Sequence, residues 1–193
     1  MARLAEGVKT RTEVAKQELL ATGKMTINEN HVNTTIDFGV PTDHTNKTFD
    51  WSTEAKAKTI LDDIQGVRDA AIATGRVLRE IVTSSAVLSL LAKSAVIQNA
   101  LFGSAFAGRL ATQDEITSLF SRLFGIESIT VNDQVYNYEK ADGTLTTQRY
   151  FPKNKIAFLA TMANGSFGAG LWGVTPEEEA QGAFTAASQN QYI

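Results

Sequence analysis

Cysteine is absent from the sequence. Disulfides and thiolate metal sites are therefore excluded, and nothing marks a redox compartment. Histidine is scarce, with two residues, and proline occurs only three times. No stretch approaches the ~20 apolar residues that a membrane span requires, so no membrane partner is expected. The opening residues, Met1 to Glu6, lack the apolar core of a secretory signal and read as a first helical turn. Glycosylation-type sequons at Asn33, Asn46 and Asn164 are accordingly taken as chance matches. A surplus of either charge is also missing, since 18 basic and 21 acidic residues leave a net −3. Dedicated nucleic-acid binders usually concentrate a basic excess on one face, so weak, non-specific DNA contact is the most this balance allows.

What remains is ample for a core. Hydrophobic residues make up 43% of the 193, a length that suits one domain or two small lobes. Residues 2–22 read as a helix with Leu4, Val8, Ala15 and Leu19 along a narrow stripe, stopped by Gly23. So narrow a stripe suits a helix that packs on one side or meets another subunit. Met25 and Ile27 then open a strand, Asn28-Glu29-Asn30 is expected as a turn, and Val32, Thr34, Ile36 and Phe38 alternate along a second strand. That alternation predicts one face in a core.

A helix is predicted over 53–74, capped by Ser52 or Thr53, with Ile60, Leu61, Ile64, Val67, Ala71 and Ile72 as its apolar face. A strand at 77–83 and helical pieces at 85–92 and 94–102 follow, the first piece starting at a serine cap. Thr112-Gln-Asp-Glu115 is a capping box, opening a helix that turns Ile116, Leu119, Phe120, Leu123 and Phe124 inward until Gly125. Ile129 and Val131 indicate a strand, Asp142-Gly143 a hairpin turn, and 156–160 a buried strand. Beyond it there is irregular chain until Thr175-Pro176, where acids could start a short helix. Long helices, hairpins and short strands together specify the α+β class, without a regular βαβ alternation.

Chemistry-bearing constellations are few. His31 and His44 lie near Glu29, Asp37 and Asp43, yet their spacing matches no ligand pattern. No nucleophile elbow is present. Asp62 and Asp63 are adjacent on a helix, so they diverge by about 100° and are expected on a solvated face. The glycine run from Gly165 to Gly170 lacks the lysine and hydroxyl of a phosphate loop. Phe102, Phe106, Phe120 and Phe124 stand at helical spacing and are read as core. Arg149, Lys153 and Lys155, beside Tyr150 and Phe151, are the one basic cluster, too small for more than weak, salt-sensitive binding. No catalytic, cofactor-binding or metal residue is assigned, no cofactor is expected, and the chain is expected not to be an enzyme.

Four stretches, in order, resemble one family. They are Leu20-Ala-Thr-Gly-Lys-Met-Thr-Ile27, Thr35-Ile-Asp-Phe-Gly-Val-Pro41, Leu61-Asp-Asp-Ile-Gln-Gly-Val-Arg-Asp69, and Tyr150-Phe-Pro-Lys-Asn-Lys-Ile-Ala-Phe-Leu159 behind a Tyr136/Tyr138 hairpin. Over most of residues 1–175 this order is similar to the major capsid proteins of lambda-like tailed phages, the phage major capsid protein E family. The resemblance implies a Hong Kong 97-type capsid fold. Residues 1–53 would be the end of the spine helix and a peripheral-lobe hairpin, 54–175 the axial lobe, and 176–193 a truncated return to the peripheral lobe. The family's N-terminal arm and extended loop would precede residue 1. It further implies a head protein that self-assembles into hexamers and pentamers of an icosahedral shell around DNA. Scaffold and decoration proteins would be candidate partners, and the protein would be made in the bacterial host cytoplasm and located in the virion capsid. The chain alone is expected to be mainly monomeric or weakly ring-forming in dilute solution. A second reading of the same residues is a small α+β ligand-binding domain using the segment from Gly165 to Gly173, which requires a deep pocket.

Overall fold

The computed structural model describes residues 2–29, 32–45, 47–103, 108–140 and 142–160. All of these belong to one of the chain's two units, Met1–Thr161. The glycine run and the helix start at Thr175-Pro176 lie outside the described residues.

Among the described residues, twelve helices and strands follow from the local patterns. They are α1 (Ala2–Thr22), β1 (Lys24–Glu29), β2 (Val32–Asp37), α2 (Ile60–Ala73), β3 (Leu78–Thr83), α3 (Ser85–Lys93), α4 (Ala95–Phe102), α5 (Gln113–Phe124), β4 (Ser128–Val131), β5 (Val135–Glu139), β6 (Leu145–Arg149) and β7 (Ile156–Ala160). The α+β class expected from the sequence is the class observed.

The strand β3 organises the unit. It sits in the middle of a three-stranded sheet, parallel to β4 and antiparallel to β7. A strand covered on both faces sends successive side chains to two different cores. Ile81 enters the larger core, built from Ile60 and Ile64 of α2, Leu91 of α3, Ile97 of α4, and Ile116 and Phe120 of α5. Val82 enters the smaller one with Phe151, Ala157 and Leu159, and Leu20 and Ala21 at the end of α1 pack against it. The α1 contact is therefore made by Leu20 and Ala21, and Val8 of the expected stripe is exposed. Lys155 Nζ donates to the Ala21 carbonyl at 2.9 Å, a second tie between the helix end and the sheet.

Capping is where the sequence signals translate most directly. The Thr112 hydroxyl accepts from the Glu115 amide, and the Glu115 carboxylate accepts from the Thr112 amide at 2.9 Å, forming the expected box. Gly125 ends α5 at φ +75°, a left-handed conformation that a Cβ would disfavour. Ser84 caps α3 by accepting from the Val87 amide, one residue earlier than the expected cap.

Several expectations are corrected. The long helix over 53–74 begins at Ile60, behind a 3-10 turn at Lys56–Thr59. The Ser52 amide and hydroxyl are taken up by the Asp50 carboxylate, at 3.1 and 2.6 Å, so Ser52 caps nothing. Ile72 and Leu123 are exposed although their neighbours Ala71 and Phe124 are buried, because both line the open groove between the ends of α2 and α5. In the first hairpin β1 pairs Asn28 with Asn33 and Glu29 with Val32, so two of the residues expected as a turn lie in the strand, and Asn30 is outside the described residues. Every residue of β2 is exposed, so neither of its faces enters a core of the unit. The Tyr136/Tyr138 hairpin forms as expected between β5 and β6, with Asp142 accepting from the Thr144 amide and Gly143 at φ +81°.

Candidate functional site

Among the described residues the candidate chemical groups are not brought together. His44 Nε2 lies 3.5 Å from the Thr74 hydroxyl, and His31 is outside the described residues. Among the described residues no three histidine or acidic side chains cluster as metal ligands, and no single helix is long and apolar enough to cross a membrane. The basic cluster is dispersed. Arg149 pairs with Asp133 and also donates to the Phe151 carbonyl, Lys155 is held by Ala21, and Phe151 is fully buried. Tyr150 packs against Tyr136, ring centroids 4.8 Å apart. Phe120 and Phe124 are buried edge-to-face at 5.6 Å, while Phe102 lies under the Arg109 guanidinium at 4.2 Å. Phe106, Gly165 and Gly173 lie outside the described residues.

Sequence reasoning missed Asp63. Its carboxylate accepts from the Trp51 indole N–H at 2.7 Å and from the Thr59 hydroxyl at 2.9 Å, so it locks the entry to α2 instead of facing solvent. No local spacing rule marks a bond between residues twelve apart across a loop, a 3-10 turn and a helix start.

What the structure does present is surface. On the first hairpin, Val32, Ile36, Phe38 and Val40 are all exposed, the first and third at 52%. The outer edge of β1 is closed off by α1: Glu18 Oε1 accepts from the Thr26 amide at 3.2 Å, and Arg11 Nη2 donates to the Thr26 carbonyl at 2.8 Å. Satisfying both edge groups blocks addition of a strand there. At the hairpin base Lys24 pairs with Asp37 at 2.9 Å, and this contact, with the Gly39 amide, holds the Asp37 carboxyl below its ordinary range.

Two open grooves flank α5. One, of about 450 Å³, runs past Leu101, Phe102, Asp114, Glu115, Ser118 and Arg122. The other, of about 390 Å³, lies between the ends of α2 and α5 and the start of β3. The segment from Gly165 to Gly173, where the ligand-binding reading places its pocket, lies outside the described residues.

Comparison with known proteins shows a family and, among solved structures, a fold relative. A family model described as phage major capsid protein E matches residues 1–182. No curated protein matches the sequence. A crystal structure provisionally named as the capsid protein of a prophage in E. coli CFT073 superposes with a TM-score of 0.55 at 16% identity. That match takes in 92% of this chain and 51% of the other, so this chain spans about half the length of its structural relative. At such identity the likeness speaks for the fold alone.

Proposed function

Because the chain belongs to the phage major capsid protein E family, we propose that it is a structural subunit of a phage or prophage capsid, acting through repeated contacts between copies. The observation that carries this reading is the family match over residues 1–182. The exposed apolar side chains of the first hairpin support it, because neighbouring exposed apolar residues mark contact sites more often than isolated ones do. A shell subunit needs complementary surfaces on a rigid body, and the doubly covered sheet supplies the body.

In this reading residues 1–53 contribute the spine-helix end and a peripheral hairpin, and 54–175 form an axial lobe whose 126–150 hairpin reaches toward a ring centre. Copies would build hexamers and pentamers of a shell around DNA, with scaffold or decoration proteins as further partners. The protein would be made in the host cytoplasm, end in the virion, and perform no catalysis.

Sedimentation velocity at rising concentration, with and without a crowding agent, tests the proposal when joined to negative-stain images. Small species in dilute solution and rings or shells under crowding are expected. A monomer under every condition that binds a small metabolite tightly would instead support the ligand-binding domain.

A further inference from the structure

The groove between the ends of α2 and α5 carries an unbalanced charge beside bare apolar surface. Arg68, Arg79 and Arg122 line it, together with Ile72, Val77 and Leu123. Arg79 pairs with Glu127, and Arg68 reaches only the Gln65 amide oxygen at 3.4 Å. Arg122 has no hydrogen-bond or ion-pair partner among the described residues. The three apolar side chains are between 45% and 56% exposed. Guanidinium groups favour carboxylates through paired, planar hydrogen bonds, and the apolar rim favours an occupant that brings side chains of its own kind.

The sequence contains such an occupant. From Ile156 to Ile193 there is no lysine or arginine, and Leu171, Trp172 and Val174 precede Glu177-Glu178-Glu179. Apolar residues followed by three carboxylates complement the groove in both chemistries. We propose that the groove receives the 171–179 segment of a neighbouring copy of this chain. The contact is head-to-tail: each copy donates its segment to one neighbour and accepts the segment of another. Contacts of that kind close into rings when the rotation between copies permits. The inference rests on the shell-subunit reading and names one of its contacts.

Charge reversal of the full chain tests it. One variant carries Arg68→Glu and Arg122→Glu, and a second carries Glu177→Lys, Glu178→Lys and Glu179→Lys. Arg79 is left in place because it is paired. Thermal melting checks that each folds, with Arg68→Gln and Arg122→Gln as the milder groove variant if the reversal melts early. Sedimentation velocity then compares each variant with an equal mixture of the two. Each alone should need at least about tenfold more protein to associate, a change of about 1.4 kcal/mol. The mixture should recover, because every groove then meets a segment of opposite charge on another copy. Association unchanged in the Glu177, Glu178 and Glu179 variant, or a mixture that fails to recover, overturns the inference while leaving the shell reading intact. Loss of binding to a short DNA duplex by the groove variant, with self-association unaffected, overturns it in favour of a phosphate backbone as occupant. A wild-type protein that never associates removes the shell reading and the inference with it.

Discussion

The Trp51 indole N–H donates to the Asp63 carboxylate across 2.7 Å, tying the chain before α2 to the first turn of that helix. Trp51 is buried, with Phe49 stacked on it at 5.7 Å, so removing the acceptor strands its N–H in the core. An unsatisfied buried donor costs about 1–3 kcal/mol. Asp63→Ala should lower stability by that amount, Asp63→Asn by less, and Asp62→Ala by no more than about 0.5 kcal/mol. Both acids favour the helix N-terminus similarly, so the difference between the two alanine variants, read by urea unfolding, reports the bonds that Asp63 accepts from Trp51 and Thr59.

Two isoleucines of α2 should respond in opposite ways. Ile64 is 2% exposed and Ile72 is 49% exposed. Ile64→Ala should cost about 2–5 kcal/mol through lost burial and a residual cavity. Ile72→Ala should stay within about 0.5 kcal/mol. Equal losses in chemical denaturation would contradict the assigned helix face.

Acidification should weaken the α5 cap. The Thr112 amide, then the Thr112 hydroxyl and the Arg109 charge, hold the Glu115 carboxyl below its ordinary value of 4.5. A carboxyl depressed in the folded state stabilises fully above its unfolded value and loses that contribution as pH falls through the folded one. Asp37 with Lys24 and Asp50 with Lys56 are shifted the same way. The melting temperature should therefore fall as pH drops below about 4. Glu115→Gln should start lower at neutral pH and lose less on acidification; parallel curves would remove Glu115 from the account.

The guarded edge of β1 makes a local prediction. With Glu18 accepting from the Thr26 amide, that N–H should exchange slowly for a strand edge. Glu18→Ala should speed its hydrogen exchange at least several-fold, leave the Phe158 amide in β7 unchanged, and increase aggregation by exposing a pairing edge. Unaltered exchange at Thr26 would mean that the edge is protected by other means.

How much of this was legible beforehand depended on how local each signal was. The Thr112/Glu115 box, Gly125 and the Asp142-Gly143 turn of the Tyr136/Tyr138 hairpin rest on contacts within a few residues, and all appear where the pattern puts them. The start of α2 did not, because Asp50 takes Ser52 and because Trp51 needs Asp63, a competition that propensity alone does not reveal. Helical periodicity places Ile72 and Leu123 inside since it measures direction around a helix and not which part of that face a neighbour covers. The alternation of Val32, Ile36 and Phe38 was read correctly as an apolar face and wrongly as a buried one. Sequence marks what should be covered without saying by which chain. Nothing in the sequence groups the groove arginines, since Arg68, Arg79 and Arg122 meet only through the packing of α2, β3 and α5.

The central claim is that copies of this chain form the wall of a phage head. Quantitative mass spectrometry of density-purified particles, induced from cells that carry the gene, tests it most directly. The account predicts peptides from residues 1–182 as the most abundant protein of intact heads, resistant to nuclease and retained after the DNA is released. Particles that lack these peptides, with the protein instead recovered from the same cells as a soluble monomer, would contradict it.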